Sequence, residues 1–125
     1  MYLVRIERSF SAAHSLLLGG EREPVHGHDW DVEVTLAGRA LDPDGLLLDF
    51  HAAERSLERI LQPFRNRNLN DVPPFDRVNP SAELVARHVA ACMAEGLPAG
   101  VGVHAVSVGE APGCTATYLP TGGTP

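Results

Sequence analysis

Long hydrophobic runs are missing from this 125-residue chain. Nothing approaches the roughly 18 consecutive apolar residues that a membrane-spanning helix needs. Cysteine is scarce. Cys92 and Cys114 stand alone, without Cys-x-x-Cys spacing, which argues for free thiols in a reducing compartment and against a disulfide framework. Positive charge is in deficit: ten Lys and Arg face sixteen Asp and Glu, a formal net charge of −6. That balance argues against nucleic acid or an anionic membrane surface as the partner. The start, Met1 to Glu7, alternates charged and apolar residues and so lacks the basic-then-apolar pattern of a signal peptide. The expectation is a cytoplasmic protein. No internal repeat or linker interrupts the sequence. With 44% apolar residues there is enough material for one modest core, read as a single domain over 1–120 followed by a disordered tail at 121–125.

Alternation at period two marks the first strand, residues 2–13, with Tyr2, Val4, Ile6, Arg8 and Phe10 on one face. Leu17 to Val25, with Gly19-Gly20 and Pro24, reads as a loop. From His28 the pattern alternates again, Trp30, Val32, Val34 and Leu36 against Asp29, Asp31, Glu33 and Thr35, until a turn at Asp42-Pro43-Asp44-Gly45. Leu46 to Leu48 then resumes pairing as a hairpin. Asp49 suits an N-cap for a helix over Phe50 to Leu61, with Phe50, Ala53, Leu57, Ile60 and Leu61 on its apolar stripe. Gln62 to Val78 is irregular and long for so small a domain, which favours a functional loop. Asn79-Pro80 fits an N-cap with proline at the first helical position, for a second helix that runs to about Glu95 and buries Val85, Val89, Cys92 and Met93. Two short strands follow, 101–109 and 114–119. The order predicts an α+β fold: a four-stranded antiparallel sheet with both helices on one face. Its two exposed edges predict association through the sheet.

Three histidines carry the chemistry. In His26-Gly27-His28 both imidazoles fall on one face of an extended segment. His14, at the end of the first strand, completes a three-nitrogen platform of the kind a catalytic zinc uses, with one coordination position left open. The alternative reading is three polar strand residues that bind nothing. His51, His88 and His104 share no such pattern and read as surface or helix histidines.

These residues resemble the 6-pyruvoyl-tetrahydropterin synthase and 6-carboxytetrahydropterin synthase family, which has the tunnelling, or T-fold, architecture. The resemblance spans nearly the whole chain. It comprises Phe10-x-Ala-Ala-His14, His26-Gly27-His28, Leu48-Asp49-Phe50, Asn79-Pro80-Ser81-Ala82-Glu83, and Glu110 followed by Ala111-Pro112 and Tyr118. It implies a homo-hexamer built as a dimer of trimers, zinc on His14, His26 and His28, and a pterin-like substrate whose ring Glu110 anchors. A pterin's N3–H and 2-amino group form a two-donor edge that a carboxylate accepts in bidentate fashion. Glu110 alternatively reads as a charge at a strand end. Ser81 and Glu83 are further substrate-binding candidates at the start of the second helix, where capping competes as their role.

The departures from the family matter as much as the matches. The family's catalytic cysteine falls where this chain has Gly20 or Arg22, and its Asp-His pair where this chain has Arg65 and Asn66. Glu23 stands three residues before His26 and resembles a branch in which glutamate replaces the cysteine and dihydroneopterin is cleaved to 6-hydroxymethyldihydropterin. It reads either as that general base or as one more charge in a solvated loop. Arg65 and Arg67 read as a basic loop balancing Asp71 and Asp76, or as the receivers of an anionic substrate tail. Cys114 reads as a buried free thiol beside a turn, with a relocated nucleophile as the alternative. Two functions follow: a zinc-dependent lyase on a pterin side chain with Glu23 as base, or a pterin- or purine-binding homologue that has lost the chemistry.

Overall fold

The computed structural model describes residues 1–120; the expected disordered tail, 121–125, lies outside the described residues. Strands β1 (Tyr2–His14) and β4 (His26–Gly38) pair antiparallel along their full lengths, from Tyr2 opposite Gly38 to His14 opposite His26. Even-numbered residues of both strands turn inward, so Ile6, Phe10, Trp30, Val32, Val34 and Leu36 are all buried. Between these strands the expected plain loop holds a minimal hairpin, β2 (Leu17–Leu18) and β3 (Glu21–Arg22), turned by Gly19 and Gly20 at φ +58° and +86°.

After β4 the expected hairpin at Leu46–Leu48 does not form. Asp42 closes that turn on itself: its carboxylate accepts from the amides of Asp44 and Leu46, and its own amide donates to the Leu46 carbonyl. Leu47 drops instead against Gly38, where a Cβ would come within 2.5 Å of its Cδ1. Helix α1 (Phe50–Leu61) has the expected cap, Asp49 accepting from the His51 amide, and buries Ala53, Leu57 and Leu61. Phe50, expected on that stripe, is half exposed.

The irregular segment is anchored by four buried apolar residues, Phe64, Leu69, Val72 and Phe75. It forms two 3₁₀ turns, Gln62–Phe64 and Leu69–Asp71, around a two-residue strand β5 (Arg67–Asn68), which pairs parallel with β1. The sheet therefore has five strands, in the order β5-β1-β4-β6-β7, rather than four. The four long strands are antiparallel as expected, completed by β6 (Val101–Ala111) and β7 (Cys114–Tyr118). Helix α2 (Ala82–Ala94) is capped by Ser81, whose hydroxyl accepts from the Leu84 amide, and not by Asn79. Both helices share one apolar cluster with the inward face of the sheet, and the opposite face carries the polar alternates.

Candidate active site

Sheet register brings the histidines together. His14 and His26 are a cross-strand pair, and His28 lies two residues further along the same face. Their three ligand nitrogens lie within 4.8 Å of one another. His14 is fully buried, and its Nδ1–H donates to the Pro80 carbonyl at 2.8 Å, just ahead of α2. The Nδ1–H of His26 donates to the Pro24 carbonyl at 3.0 Å. A carbonyl only accepts, so both rings carry their proton on Nδ1 and present Nε2 as a bare lone pair. Those two Nε2 atoms are 3.1 Å apart. That spacing suits two nitrogens that share one cation. Zinc–nitrogen bonds of about 2.0–2.1 Å in a tetrahedron put such nitrogens roughly 3.3 Å apart. His28 Nε2 is buried with no hydrogen-bond partner. Burial, then the neighbouring His14, lowers the His28 pKa and keeps that imidazole neutral, the form that ligates. Trp30 stands edge-on to both His14 and His28, and its indole N–H is held by the Ala12 carbonyl.

Two carboxylates flank this centre. Glu110 Oε2 lies 3.7 Å from His14 Nε2, and Glu23 Oε1 lies 3.8 Å from His26 Nε2. Glu110 occupies the register shift between Gly109 and Ala111 where β6 meets β7. A bulge of this kind re-aims a side chain. Glu23 is fixed by its loop: Oε1 accepts from the Leu16 amide at 3.0 Å, and its carbonyl accepts from the Ser15 hydroxyl.

Two asparagines hold this loop: Asn70, within the irregular segment and given no role from the sequence, and Asn79, read there as a helix cap. Asn70 takes both the amide and carbonyl of Ser15, at 2.8 and 2.9 Å, and Asn79 does the same for Leu17. Each side-chain amide imitates a neighbouring strand. Asn79 is thereby diverted from the capping role expected of it. The Pro80 and Pro24 carbonyls, which orient two of the histidines, were equally unforeseen; no residue-type signal identifies a backbone acceptor.

The remaining candidates sit less directly. The Ser81 hydroxyl is spent as the cap of α2, one residue beyond the Pro80 carbonyl, and Glu83 is exposed in that helix's first turn. Arg65 is bound to Glu58 through two nitrogens, at 2.7 and 2.8 Å, and donates to the Ser9 carbonyl. It therefore balances Glu58 and not Asp71 or Asp76. Arg67 is exposed and lines an open groove of about 640 Å³ with Ser11, Ala13, Gly27 and His28. Gly20 is a turn residue, and the Arg22 guanidinium donates to the Ser15 carbonyl. Cys114 is exposed, not buried, because it opens β7 on the outer side of the turn. His51 and His104 are exposed, whereas His88 is half-buried between Phe64 and Phe75. An apolar cavity of about 470 Å³ lies beyond the far end of β4, but its acids, Asp42 and Asp49, are engaged in the local turn and the α1 cap.

The likeness to known proteins extends over the same frame. The family model described as 6-pyruvoyl tetrahydropterin synthase matches residues 3–121. A 6-pyruvoyl tetrahydrobiopterin synthase of Poecilia reticulata is 31% identical over 115 residues, covering 80% of this chain and 78% of that protein. A dihydroneopterin monophosphate aldolase of Pyrococcus furiosus is 28% identical over 102 residues, 82% of this chain and 83% of that one. The structure of Caenorhabditis elegans 6-pyruvoyl tetrahydropterin synthase superposes with a TM-score of 0.79 at 27% identity, covering 95% of this chain and 96% of that one. The fold is the T-fold that the motifs implied, and the chain belongs to the 6-pyruvoyl tetrahydropterin synthase family.

Proposed function

We propose that this protein is a zinc-dependent lyase acting on the side chain of a pterin-like substrate, with Glu23 as its base. The observation that carries this reading is the pair of Nε2 lone pairs on His14 and His26, fixed by two carbonyls, beside the unpartnered Nε2 of His28. That donor set suits zinc, which when bound supplies a Lewis acid for the hydroxyls of the substrate side chain. Glu110 accepts the two-donor edge of the heterocycle and sets its orientation. The start of α2, with Ser81 and Glu83, lines the approach to the ring. Glu23 takes the proton from the hydroxyl whose carbon departs as a carbonyl. The electron pair of the broken carbon–carbon bond passes toward the heterocycle, and the resulting carbon is reprotonated. Glu23 suits this role because the Leu16 amide steadies one oxygen beside His26 and leaves the other uncommitted. The aldolase name of the Pyrococcus relative favours carbon–carbon cleavage. An anionic tail on the substrate meets Arg67, since Arg65 is held by Glu58. The active unit is a homo-hexamer closed through β7 on one side of the sheet and, on the other, the length of β1 that β5 leaves uncovered.

A second reading, a pterin- or purine-binding homologue without turnover, is favoured by one observation. None of the residues that replace the family's thiol and Asp-His pair offers a base: Gly20 has no side chain, Arg22 and Arg65 are engaged cations, and Asn66 is an amide. One experiment separates the two. Zinc-loaded protein is incubated with dihydroneopterin and its phosphate esters, alongside Glu23→Gln. The lyase reading expects turnover in the parent and at least a hundredfold loss in Glu23→Gln with pterin binding retained. A fully active Glu23→Gln protein removes Glu23 as base, and a parent that binds pterin but turns over none of these compounds establishes the second reading.

A further inference from the structure

Anchoring a pterin ring does not account for where the Glu110 carboxylate lies in the substrate-free protein. Among the described residues, two buried side-chain polar atoms have no hydrogen-bond partner, His28 Nε2 and Glu110 Oε2. Both belong to one centre. Glu110 Oε2 is 3.7 Å from His14 Nε2, whose proton is already committed to Nδ1 by the Pro80 carbonyl. No N–H is therefore aimed at the carboxylate. The carboxylate oxygen and the imidazole nitrogens converge on one point. The side chain as a whole is 29% exposed, but this oxygen is buried, and a buried carboxylate oxygen without a donor suits a cation or a metal as its partner.

Glu23, on the other side, is in a different position. Its nearer oxygen already accepts the Leu16 amide, and its backbone is held by Ser15. The two acids are thus inequivalent: one is satisfied by the protein, the other is not. The bulge between Gly109 and Ala111 adds a reason. It interrupts the β6–β7 ladder at the one acidic residue of that hairpin and turns its carboxylate toward the histidines.

We propose that Glu110 is the fourth protein ligand of the resting metal centre, completing a three-nitrogen, one-oxygen set with His14, His26 and His28. Four protein ligands close a tetrahedral site, whereas three leave a position open for chemistry. Closure by an anion also reduces the net charge of a metal held against buried His14 and Trp30. For function this inference rests on the reading above: the carboxylate that closes the metal is the one the heterocycle's edge claims, so substrate binding draws Glu110 away and opens the centre. Linkage then requires that a pterin weaken the hold on the metal by the same factor that the metal weakens the hold on the pterin, as far as both compete for this side chain. The ligation itself needs no pterin.

The test is cobalt and zinc binding to full-length, metal-stripped protein, comparing the parent with Glu110→Gln, Glu110→Ala and Glu23→Gln. Zinc affinity is read by competition with a chromophoric chelator, and cobalt geometry from the visible d–d bands; circular dichroism confirms that each variant is folded. The expected result is an intense four-coordinate cobalt spectrum in the parent and in Glu23→Gln. Both Glu110 variants should bind zinc at least about tenfold more weakly, with a fainter cobalt spectrum of higher coordination. A saturating oxidised pterin should shift the parent's cobalt bands toward those of Glu110→Gln. Glu110→Gln and Glu110→Ala proteins that keep the parent's cobalt spectrum and its zinc affinity within about twofold overturn the proposal, even if they lose pterin binding. Metal effects that appear as described, with no pterin binding to any protein, sustain the ligation while overturning the substrate reading.

Discussion

Replacing Asn70 by alanine tests how the base is held. Asn70 lies outside the histidine cluster, yet it accepts from the Ser15 amide and donates to the Ser15 carbonyl at 2.8 and 2.9 Å. Ser15 in turn donates its hydroxyl to the Glu23 carbonyl, and its own carbonyl receives the Arg22 guanidinium. Truncation removes two hydrogen bonds worth about 1 kcal/mol each in net terms and leaves the Ser15 amide to find water, while the Ser15 carbonyl keeps the Arg22 guanidinium. The expected loss is about 2 kcal/mol. For a chain of this length that is a fall in Tm of roughly 5–10 °C. Asn70→Asp keeps the acceptor but not the donor, and should recover no more than half of the loss. Thermal unfolding of metal-free protein measures the stability, and turnover of zinc-loaded protein measures whether the released loop misplaces Glu23. Zinc affinity should be nearly unchanged, because Pro80 and Pro24 and not Asn70 orient the ligands. An Asn70→Ala protein that unfolds within about 0.5 kcal/mol of the parent would refute the claim that this amide substitutes for a strand.

Burial holds His88 below its ordinary pKa between Phe64 and Phe75. The unfolded chain therefore takes up this proton at higher pH than the folded one, so the contribution is intact above the ordinary value of 6.5 and is lost as pH falls below it. His88→Leu should flatten that acid-side decline in urea titrations run from pH 7.5 to 5; an unchanged slope would exclude His88 as its source. Arg65→Ser should cost about 1 kcal/mol or less, given the partial exposure of its ion pair with Glu58, and leave KM alone. Arg67→Ser should instead raise KM for a phosphorylated substrate without lowering Tm, and equal KM effects from both would show that the two arginines are not divided in this way.

Much of this architecture is legible in the sequence because it is periodic. Alternation fixes the inward faces of β1 and β4, and the same alternation aligns His26 with His28 and carries His14 to its register partner. The helices are read from their stripes and from Asp49. What escapes is short or non-local. A two-residue strand such as β5 has no period to detect. Asp42 makes its turn self-contained, so the leucines after it have no strand to pair with. Asn79 resembles a helix cap in one dimension, but in three its amide meets the Leu17 backbone and Ser81 caps the helix instead. The bulge at Glu110 depends on where the β6–β7 register slips, which no local pattern of Val-Ser-Val-Gly-Glu reveals. The residue types of the site could thus be named from the sequence, but the division of labour between Glu23 and Glu110 required their neighbours.

The central claim is that His14, His26 and His28 form one metal centre on which the protein's activity depends. Metal content of the purified protein, followed by turnover of dihydroneopterin before and after chelation, tests it most directly. The account predicts close to one zinc per chain, lost in His14→Ala and His28→Ala, with activity abolished by the chelator and restored by zinc. Protein that carries no zinc when supplied with it, or turnover that survives full chelation, would contradict it.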